Sequence, residues 1–425
     1  MLTERRQIFL RMFSGAVLTQ ALLSACNFSV GLVLIRRSSN VQYGYYVLVA
    51  NAGLLVVALQ NAFIQPPMVM RLVSSDRAAR ANLLGGLYRE QRRLMVPTAI
   101  LFVLVAGALW VHGSLNRISG PIVLAAVVVG LTALFREFFR MVLYAYRQAH
   151  EVLKGDVLYA LIFFAGAVVA SFSSMPAFLT LLLQGVAAII GGCMLARALW
   201  RHEPWSTPGA HGVLRDLAPI GMWSTAGAAT HWAFSQGYNY LVAGRIDVAA
   251  VAAIAATRLL MMPVNLLSTG IGSLMMPTAT AWLHQHGPAT VFRRLLLIAS
   301  GLAVLAVLYF AFIWFFREMI FTHVLRRHFV QGDALLLAWS AVFLMMLFRD
   351  QLLYLPGASG KFRALTGVAL MSAVVSLGTV YSTITRLGDV GAPLGILVGE
   401  FCNVTGIVAL SIREIRRARR CQLPA

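Results

Sequence analysis

The chain has 425 residues, of which 59% are hydrophobic and only 12% are charged, and its formal net charge is +20. Soluble domains carry about 25% charged residues, so this composition excludes an ordinary soluble protein. Of the 35 basic residues, all but Lys154 and Lys361 are arginines. In an apolar chain such arginines anchor connections on the cytoplasmic side of a membrane, so we expect no nucleic-acid partner.

Long apolar segments follow one another along the whole chain. A bilayer crossing takes about 20 residues, and backbone in lipid must satisfy its own hydrogen bonds, so each segment is predicted to be a helix. The predicted spans cover residues 8–35, 43–70, 94–112, 119–146, 153–173, 176–199, 214–243, 248–281, 295–316, 334–358, 364–385 and 391–412. We therefore expect an all-α integral membrane protein with about twelve transmembrane helices.

Basic residues alternate in number between successive connections. With a cytoplasmic N-terminus, the inner segments hold about 23 basic residues and the outer ones about 8, a bias that follows the positive-inside rule. The remaining four lie inside the predicted spans: Arg136, Arg140, Arg258 and Arg349. The bias predicts that both termini are cytoplasmic. The first apolar run is too long for a cleavable signal peptide and is read as a span.

A polar stretch near the middle divides the predicted spans into two groups of six. Residues 201–213 contain two prolines and two glycines, which is typical of a linker. The sequence Leu-Phe-Arg-Glu at 134–137 recurs 213 residues later as Leu-Phe-Arg-Asp at 347–350. We therefore predict an N-terminal lobe over 1–200, a cytoplasmic linker over 201–213, and a C-terminal lobe over 214–425 that duplicates the first.

Polar side chains recur at helical spacing on the first two predicted helices of each half. Such a face is turned towards protein or water rather than lipid. Hydrogen bonding between packed helices is one explanation, and a shared aqueous cavity is the other. The repetition of the faces in both halves favours the cavity. Its candidate lining residues are Asn27, Asn51, Asn61, Gln236 and Asn239.

Arg258 lies about ten residues into the eighth predicted span, where a charge costs several kcal/mol. No acidic residue lies one turn away on the same helix, so a local ion pair is excluded. One reading is that its planar guanidinium binds a phosphate-bearing ligand. The other is that it pairs with a distant acid such as Glu400.

Other charged residues inside the spans form short motifs. Glu137 and Arg140 are three residues apart and can pair directly on a helix. Arg349 and Asp350 are adjacent and point about 100° apart, so each is expected to find a partner on another helix. Structural ion pairs are one reading, and gating or ion coupling is the other. The candidates for gating or ion coupling, together with the titratable His231, are Arg136, Glu137, Arg140, Arg349 and Asp350.

Catalytic and metal-binding motifs are missing from the sequence. The four cysteines are scattered and have no metal-ligand spacing, and no acid pair lies beside a histidine in a loop. We therefore expect neither an enzyme nor a cofactor or metal.

Two stretches near the N-terminus resemble a known family. They are Asn27-Phe28-Ser29-Val30-Gly31 and Arg36-Arg37-Ser38-Ser39-Asn40-Val41-Gln42-Tyr43-Gly44-Tyr45-Tyr46. The chain is similar there to the polysaccharide-transporter branch of the multidrug/oligosaccharidyl-lipid/polysaccharide (MOP) flippase superfamily, which includes O-antigen and exopolysaccharide flippases. These proteins place a Phe/Tyr-Gly-x-Tyr-like turn at the start of the second helix. The resemblance also covers span number, six-plus-six repeat and topology.

The resemblance implies a V-shaped, MATE-like transporter fold whose cavity is lined mainly by helices 1, 2, 7 and 8. It implies that an undecaprenyl-pyrophosphate-linked oligosaccharide is turned across the bacterial inner membrane by alternating access. The pyrophosphate would meet Arg258, and the sugars would meet the five amide residues named above. The implied partners are the lipid bilayer and a polysaccharide polymerase with its co-polymerase.

Two other functions are weighed against the flippase. A MATE-like exporter of cationic small molecules would need an acidic group in the cavity, and the polar faces of helices 1, 2, 7 and 8 contain none. A membrane enzyme of glycan assembly would need a catalytic acid or histidine cluster facing the periplasm, and the short outer loops do not offer one.

Overall fold

The computed structural model describes residues 2–74, 76–112, 119–202 and 212–422. These residues are almost entirely helical and contain no strand, which confirms the predicted all-α fold. The helices are α1 (Leu2–Arg37), α2 (Asn40–Ser74), α3 (Arg77–Val111), α4 (Ser119–Ala145), α5 (Ala149–Ala170), α6 (Pro176–His202), α7 (Val213–Gln236), α8 (Tyr238–Arg245), α9 (Val248–Leu259), α10 (Met262–Phe315), α11 (Arg317–Met319), α12 (Gly332–Leu352), α13 (Tyr354–Ala358), α14 (Phe362–Leu387) and α15 (Gly391–Gln422). A π-helix covers Ile320–Leu325, and a 3-10 turn covers Gly388–Val390.

A helix lies at each predicted span. By length and composition, eight stretches of the described residues could cross a membrane, or nine if one bent pair of helices counts as a span. One of these stretches, Phe362–Ala418, contains both α14 and α15. Helices α3 and α7 are not among them. The number twelve therefore stays a prediction, while a many-helix membrane fold is established.

The predicted eighth span is not one continuous helix, as the sequence led us to expect. It is divided into α9 and the start of α10, which meet at a bend of 55°. Pro263, in the first turn of α10, lacks the backbone N–H that a continuous helix would need. The Tyr309 hydroxyl donates a hydrogen bond to the Leu260 carbonyl at 2.8 Å, and so satisfies a carbonyl at the break. Arg258 lies in the last turn of α9, directly before this bend.

The chain forms two compact units, Met1–Ala229 and Thr230–Ala425. The boundary between them falls within α7. Most of the predicted linker, residues 203–211, lies outside the described residues, so the predicted division at 201–213 stays a prediction.

Glycines on α6 allow close packing in the first unit. A Cβ atom at Gly191 would lie 3.3 Å from the carbonyl oxygen of Gly155 on α5. At Gly192 it would lie 2.7 Å from the Phe135 ring and 3.2 Å from the Cα atom of Arg136 on α4. Small residues of this kind let helix backbones approach each other closely in membranes. The contact of α6 with both helices helps to bring charged residues of α4 and α5 together.

A similar glycine seam joins α14 and α15 in the second unit. A Cβ atom at Gly395 would lie 2.6 Å from the Val380 nitrogen, and one at Gly399 would lie 2.5 Å from the Ser376 Cβ atom. Because these glycines are four residues apart, they share one face of α15. Glu400 follows directly in sequence and is buried, with 2% of its surface exposed.

One cation–π contact recurs in both units at nearly the same chain separation. In the first unit, the Arg37 guanidinium lies 5.8 Å from the centroid of the Phe172 ring. In the second, the Arg245 guanidinium lies 3.8 Å from the centroid of the Tyr381 ring. Each arginine ends a helix that precedes a short turn, and each ring lies at about the same distance further along the chain. The duplication of one half of the protein stays a prediction.

Candidate functional site

The first unit contains a buried set of charged side chains, which we call the N-terminal ion cluster: Arg136, Glu137, Arg140, Asp156 and Asn61. Arg136 donates to Asp156, and the Arg140 Nε atom donates to Asp156 at 2.9 Å. Arg140 also contacts Glu137 at 3.1 Å, which confirms the predicted pair three residues apart. The Asn61 amide donates to Glu137 at 3.0 Å. Helices α2, α4 and α5 are therefore held together by this cluster.

Asp156 is the member of the cluster that sequence reasoning missed. Its side chain is completely inaccessible, and it accepts hydrogen bonds from two arginines. The sequence did contain a signal, because an acidic residue inside a predicted span needs a partner. Arg136 is further held by the Tyr159 ring, whose centroid lies 3.9 Å from the guanidinium carbon. With two arginines and two carboxylates, the cluster is balanced in formal charge.

The second unit contains the C-terminal ion cluster: Arg349, Asp350, Glu400 and Ser268. Arg349 donates to Asp350 from Nε at 3.0 Å and from Nη2 at 2.8 Å, and it also donates to Glu400. Ser268 donates to Asp350 at 3.1 Å. Each charged residue has the partner on another helix that the sequence predicted. The two adjacent residues also contact each other, which was not predicted, because the long arginine side chain spans their angular offset.

This cluster has one carboxylate more than it has arginines. Glu400 Oε2 is buried and makes no hydrogen bond within the described part of the chain. Glu400, considered above as a partner for Arg258, is paired with Arg349 instead. His231, the other titratable candidate in this unit, is exposed on α7.

Arg258 lies in a different setting, at the end of α9. Its Nη1 atom donates to Gln236 Oε1 at 3.0 Å and to the Tyr238 hydroxyl at 3.0 Å. The guanidinium carbon lies 5.8 Å from the Tyr238 ring centroid and 5.5 Å from that of Trp339. Among the described residues, no carboxylate lies within ion-pair distance of it. The positive charge is therefore held by dipoles and aromatic rings and is not neutralised.

The predicted cavity residues fall into both units. Gln236 and Asn239 lie beside Arg258, since the Asn239 amide donates to the Gln236 carbonyl at 3.1 Å. In the first unit, Asn27 is exposed on α1 and Asn51 is buried on α2. Asn61 lies in the N-terminal ion cluster, where its amide N–H is committed to Glu137. The shared cavity stays a prediction.

Two aromatic residues beside Arg258 were not found from the sequence. Tyr238 and Trp339 are both almost completely buried, and their rings are 5.8 Å apart. The Trp339 Nε1–H is buried without a hydrogen-bond partner among the described residues. Nothing in their sequence positions links them, because Trp339 lies 81 residues beyond Arg258 on α12.

No family model and no curated protein matches the chain. Solved structures do match over nearly its whole length. One is an inward-facing conformation of a multidrug resistance MATE family transporter of the MOP superfamily, with a TM-score of 0.78, 13% identity, and coverage of 94% of this chain and 96% of that one. Another is a MATE protein in the straight conformation, with a TM-score of 0.67, 12% identity, and coverage of 97% and 96%.

A third solved structure is a MOP superfamily transporter from Pyrococcus furiosus Vc1 (DSM3638), described as having a binding pocket of reverse polarity. Its TM-score is 0.67 at 13% identity, and the match covers 96% of this chain and 95% of that one. Identities this low establish the fold alone. The chain is a helical membrane protein with the fold of the MATE transporters of the MOP superfamily, as predicted.

Proposed function

We propose that the protein is a flippase that moves an undecaprenyl-pyrophosphate-linked oligosaccharide across the bacterial inner membrane for surface polysaccharide or exopolysaccharide assembly. The observation that carries this proposal is the unneutralised guanidinium of Arg258 beside the bend between α9 and α10. A charge in such a segment is costly unless water, an acid or an anionic ligand compensates it. A pyrophosphate supplies that compensation, and the MATE-like fold supplies a transport architecture.

The arrangement around Arg258 leaves part of its guanidinium for a ligand. Nη1 is used by Gln236 and Tyr238, while Nε and Nη2 make no hydrogen bond to any described residue. Two neighbouring N–H groups of this kind match the oxygens of a phosphate in a bidentate contact. Interrupted helices also line substrate sites in many transporters. We assign the pyrophosphate to Arg258 and the sugars to Asn27, Asn51, Asn61, Gln236 and Asn239.

The two ion clusters receive different proposed roles. The N-terminal ion cluster is balanced, and we assign Arg136, Glu137 and Arg140 to holding or gating the helix packing. The C-terminal ion cluster has an excess carboxylate, which a proton or a metal cation could neutralise. We therefore assign ion coupling to Arg349 and Asp350, with the exposed His231 as a proton carrier. A polysaccharide polymerase and co-polymerase are the proposed partners.

A MATE-like exporter of small molecules is the second candidate. It is favoured by the solved structures above, one of which is a multidrug resistance transporter. An exporter of cationic drugs would need a free acidic group at its binding site. The excess carboxylate belongs to Glu400, which is buried and contacts Arg349, whereas the unneutralised charge at the α9–α10 bend is positive. The sign of that charge favours an anionic cargo.

The test is Arg258→Ala expressed in a host whose own copy of the gene is deleted. Surface polysaccharide should be lost while the amount of protein in the membrane stays normal, and Arg258→Lys should restore part of the export. Arg245→Ala is the matched control, since it removes an exposed arginine of the same unit. Normal polysaccharide in the Arg258→Ala strain would rule out the phosphate role.

A further inference from the structure

The first turn of α7 is capped by a carboxylate from a distant part of the chain. Glu90, on α3, accepts hydrogen bonds from three successive backbone N–H groups: Gly212 at 2.6 Å, Val213 at 3.2 Å and Leu214 at 2.8 Å. Gly212 has a φ of +72°, which glycine adopts readily and which starts the turn. The first N–H groups of a helix have no partner within it, and its N-terminus attracts negative charge. Both requirements are met here by one side chain.

Three further contacts attach the same end of α7 to the first unit. Arg71 at the end of α2 lies 3.6 Å from the Asp216 carboxylate. Val213 and Leu217 are buried in a core to which α2, α3, α4, α5 and α6 all contribute. Together with the Glu90 cap, these contacts form what we call the α7 attachment.

The polar part of the α7 attachment is exposed to solvent. Beyond Leu217 the helix is open at Met222 and Trp223, which are 61% and 82% exposed, while Gly221 is buried against Phe63 of α2. The opposite end of α7 belongs to the second unit, where Gln236 holds Arg258. The Glu90 contact to Gly212 is exposed, so water can replace both its donor and its acceptor when it opens. The charged side chains of the N-terminal ion cluster are largely buried, so water is less able to replace their contacts.

We propose that Glu90 is a releasable lock on α7. In this conformation it holds the first turns of α7 against α2 and α3, and its opening frees that half of the helix from the first unit. The proposal rests on the alternating-access function proposed above, because a helix with its two ends in two units must move when those units rearrange. Glu90 is a positioning residue, which acts on Arg258 only through α7.

The test measures how often Leu217 is uncovered. Leu217→Cys is introduced with Glu90 intact and with Glu90→Gln, and the purified proteins in nanodiscs are treated with a maleimide. Peptide mapping separates this label from the native Cys26, Cys193, Cys402 and Cys421. With Glu90 intact, labelling should be slow but should reach completion. With Glu90→Gln it should be about tenfold faster, as expected for the loss of a helix cap.

Matched variants give the reference rates. Trp223→Cys marks the rate at an exposed position of the same helix. Glu151→Gln removes an acid that contacts Lys154 in the same unit, and it should leave the labelling of Leu217→Cys unchanged. Arg71→Gln weakens the same attachment and should accelerate labelling by a smaller factor than Glu90→Gln.

Two results would overturn the lock. If Leu217→Cys is never labelled while Trp223→Cys reacts fully, the contact is permanent. If Glu90→Gln leaves the rate unchanged, Glu90 does not hold the helix, whatever the effect of Arg71→Gln. The labelling is measured without a transported substrate, so its result does not depend on which solute the protein carries. Failure of the proposed cargo would instead appear as normal polysaccharide in the Arg258→Ala strain.

Discussion

Arg349 on α12 donates to Glu400 on α15 and shares the same guanidinium with Asp350, so one cation faces two carboxylates. In the first unit, Arg136 of the similar Leu-Phe-Arg-Glu sequence shares its acid with Arg140, and Glu137 balances the second arginine. The two halves therefore repeat an arginine followed by an acid but differ in net charge. This difference is the basis for assigning ion coupling to the second unit.

Arg349→Ala should destabilise the protein much more than Glu400→Gln. Removal of the arginine leaves two buried carboxylates without a counter-charge, and breaking a buried pair in this way costs about 3–5 kcal/mol. Glu400→Gln keeps an acceptor for Arg349 and removes only the excess charge. Thermal unfolding of the purified variants in one detergent measures both. If both variants lose the same stability, the cluster does not carry an excess negative charge.

Glu400→Gln should also change the ion dependence of transport. If the excess carboxylate binds the driving proton or cation, its removal should abolish the response of export to the ion gradient while leaving the protein folded. Reconstituted vesicles with an imposed pH or sodium gradient provide the measurement. Glu414→Gln is the control, because that acid is paired with Lys361 outside the cluster. A normal gradient response would exclude Glu400 as the coupling group.

Asp156→Asn should destabilise the first unit by roughly 3 kcal/mol, since it leaves Arg136 and Arg140 with one carboxylate between them. In the double variant Asp156→Asn/Arg140→Gln, one arginine (Arg136) and one carboxylate (Glu137) remain, so the formal charges balance again. The double variant should therefore recover part of the stability that Asp156→Asn loses. The two single variants and the double variant form a thermodynamic cycle that unfolding experiments can measure. Strict additivity would mean that the two residues do not interact.

Gly399→Ala should loosen the packing of α15 on α14. The added methyl group would lie 2.5 Å from the Ser376 Cβ atom and 3.0 Å from the Ser372 carbonyl, and over-packing of this kind costs about 1–3 kcal/mol. Gly378→Ala on α14 is the control, because nothing lies within 4 Å of its added Cβ atom. That change should be neutral or slightly stabilising, since alanine favours helix. If the unfolding temperature falls equally in both variants, close packing at Gly399 does not stabilise the protein.

Tyr309→Phe should reduce export with little loss of protein. It removes the hydroxyl that satisfies the Leu260 carbonyl at the α9–α10 bend, at a cost of about 1 kcal/mol. Arg258 lies two residues before that carbonyl and depends on the bend for its position. Tyr381→Phe, which keeps the ring beneath Arg245, is the control for the surface polysaccharide assay. Unchanged export in Tyr309→Phe would show that this hydrogen bond does not position the site.

Much of the fold could be read from local patterns. Apolar length predicts where helices lie, and the contact of Glu137 with Arg140 follows from their helical spacing. The bend after Arg258 was not predicted, although Pro263 was visible, because proline can be tolerated in membrane helices when neighbouring groups satisfy the freed carbonyl. At this bend the Tyr309 hydroxyl, which satisfies the Leu260 carbonyl, comes from 49 residues away.

The sequence by itself determined that the chain is a membrane protein of many helices and that a few charges lie inside them, since hydrophobic length and the cost of burying charge are local properties. Only the tertiary structure decided which partners those charges have. Asp156 forms an ion pair with Arg136, Glu400 forms one with Arg349, and Arg258 contacts only aromatic rings and uncharged hydrogen-bond acceptors among the described residues. Partners on separate helices depend on which backbones approach closely, and the glycines of α6 and α15 control that approach only once their neighbours are in place.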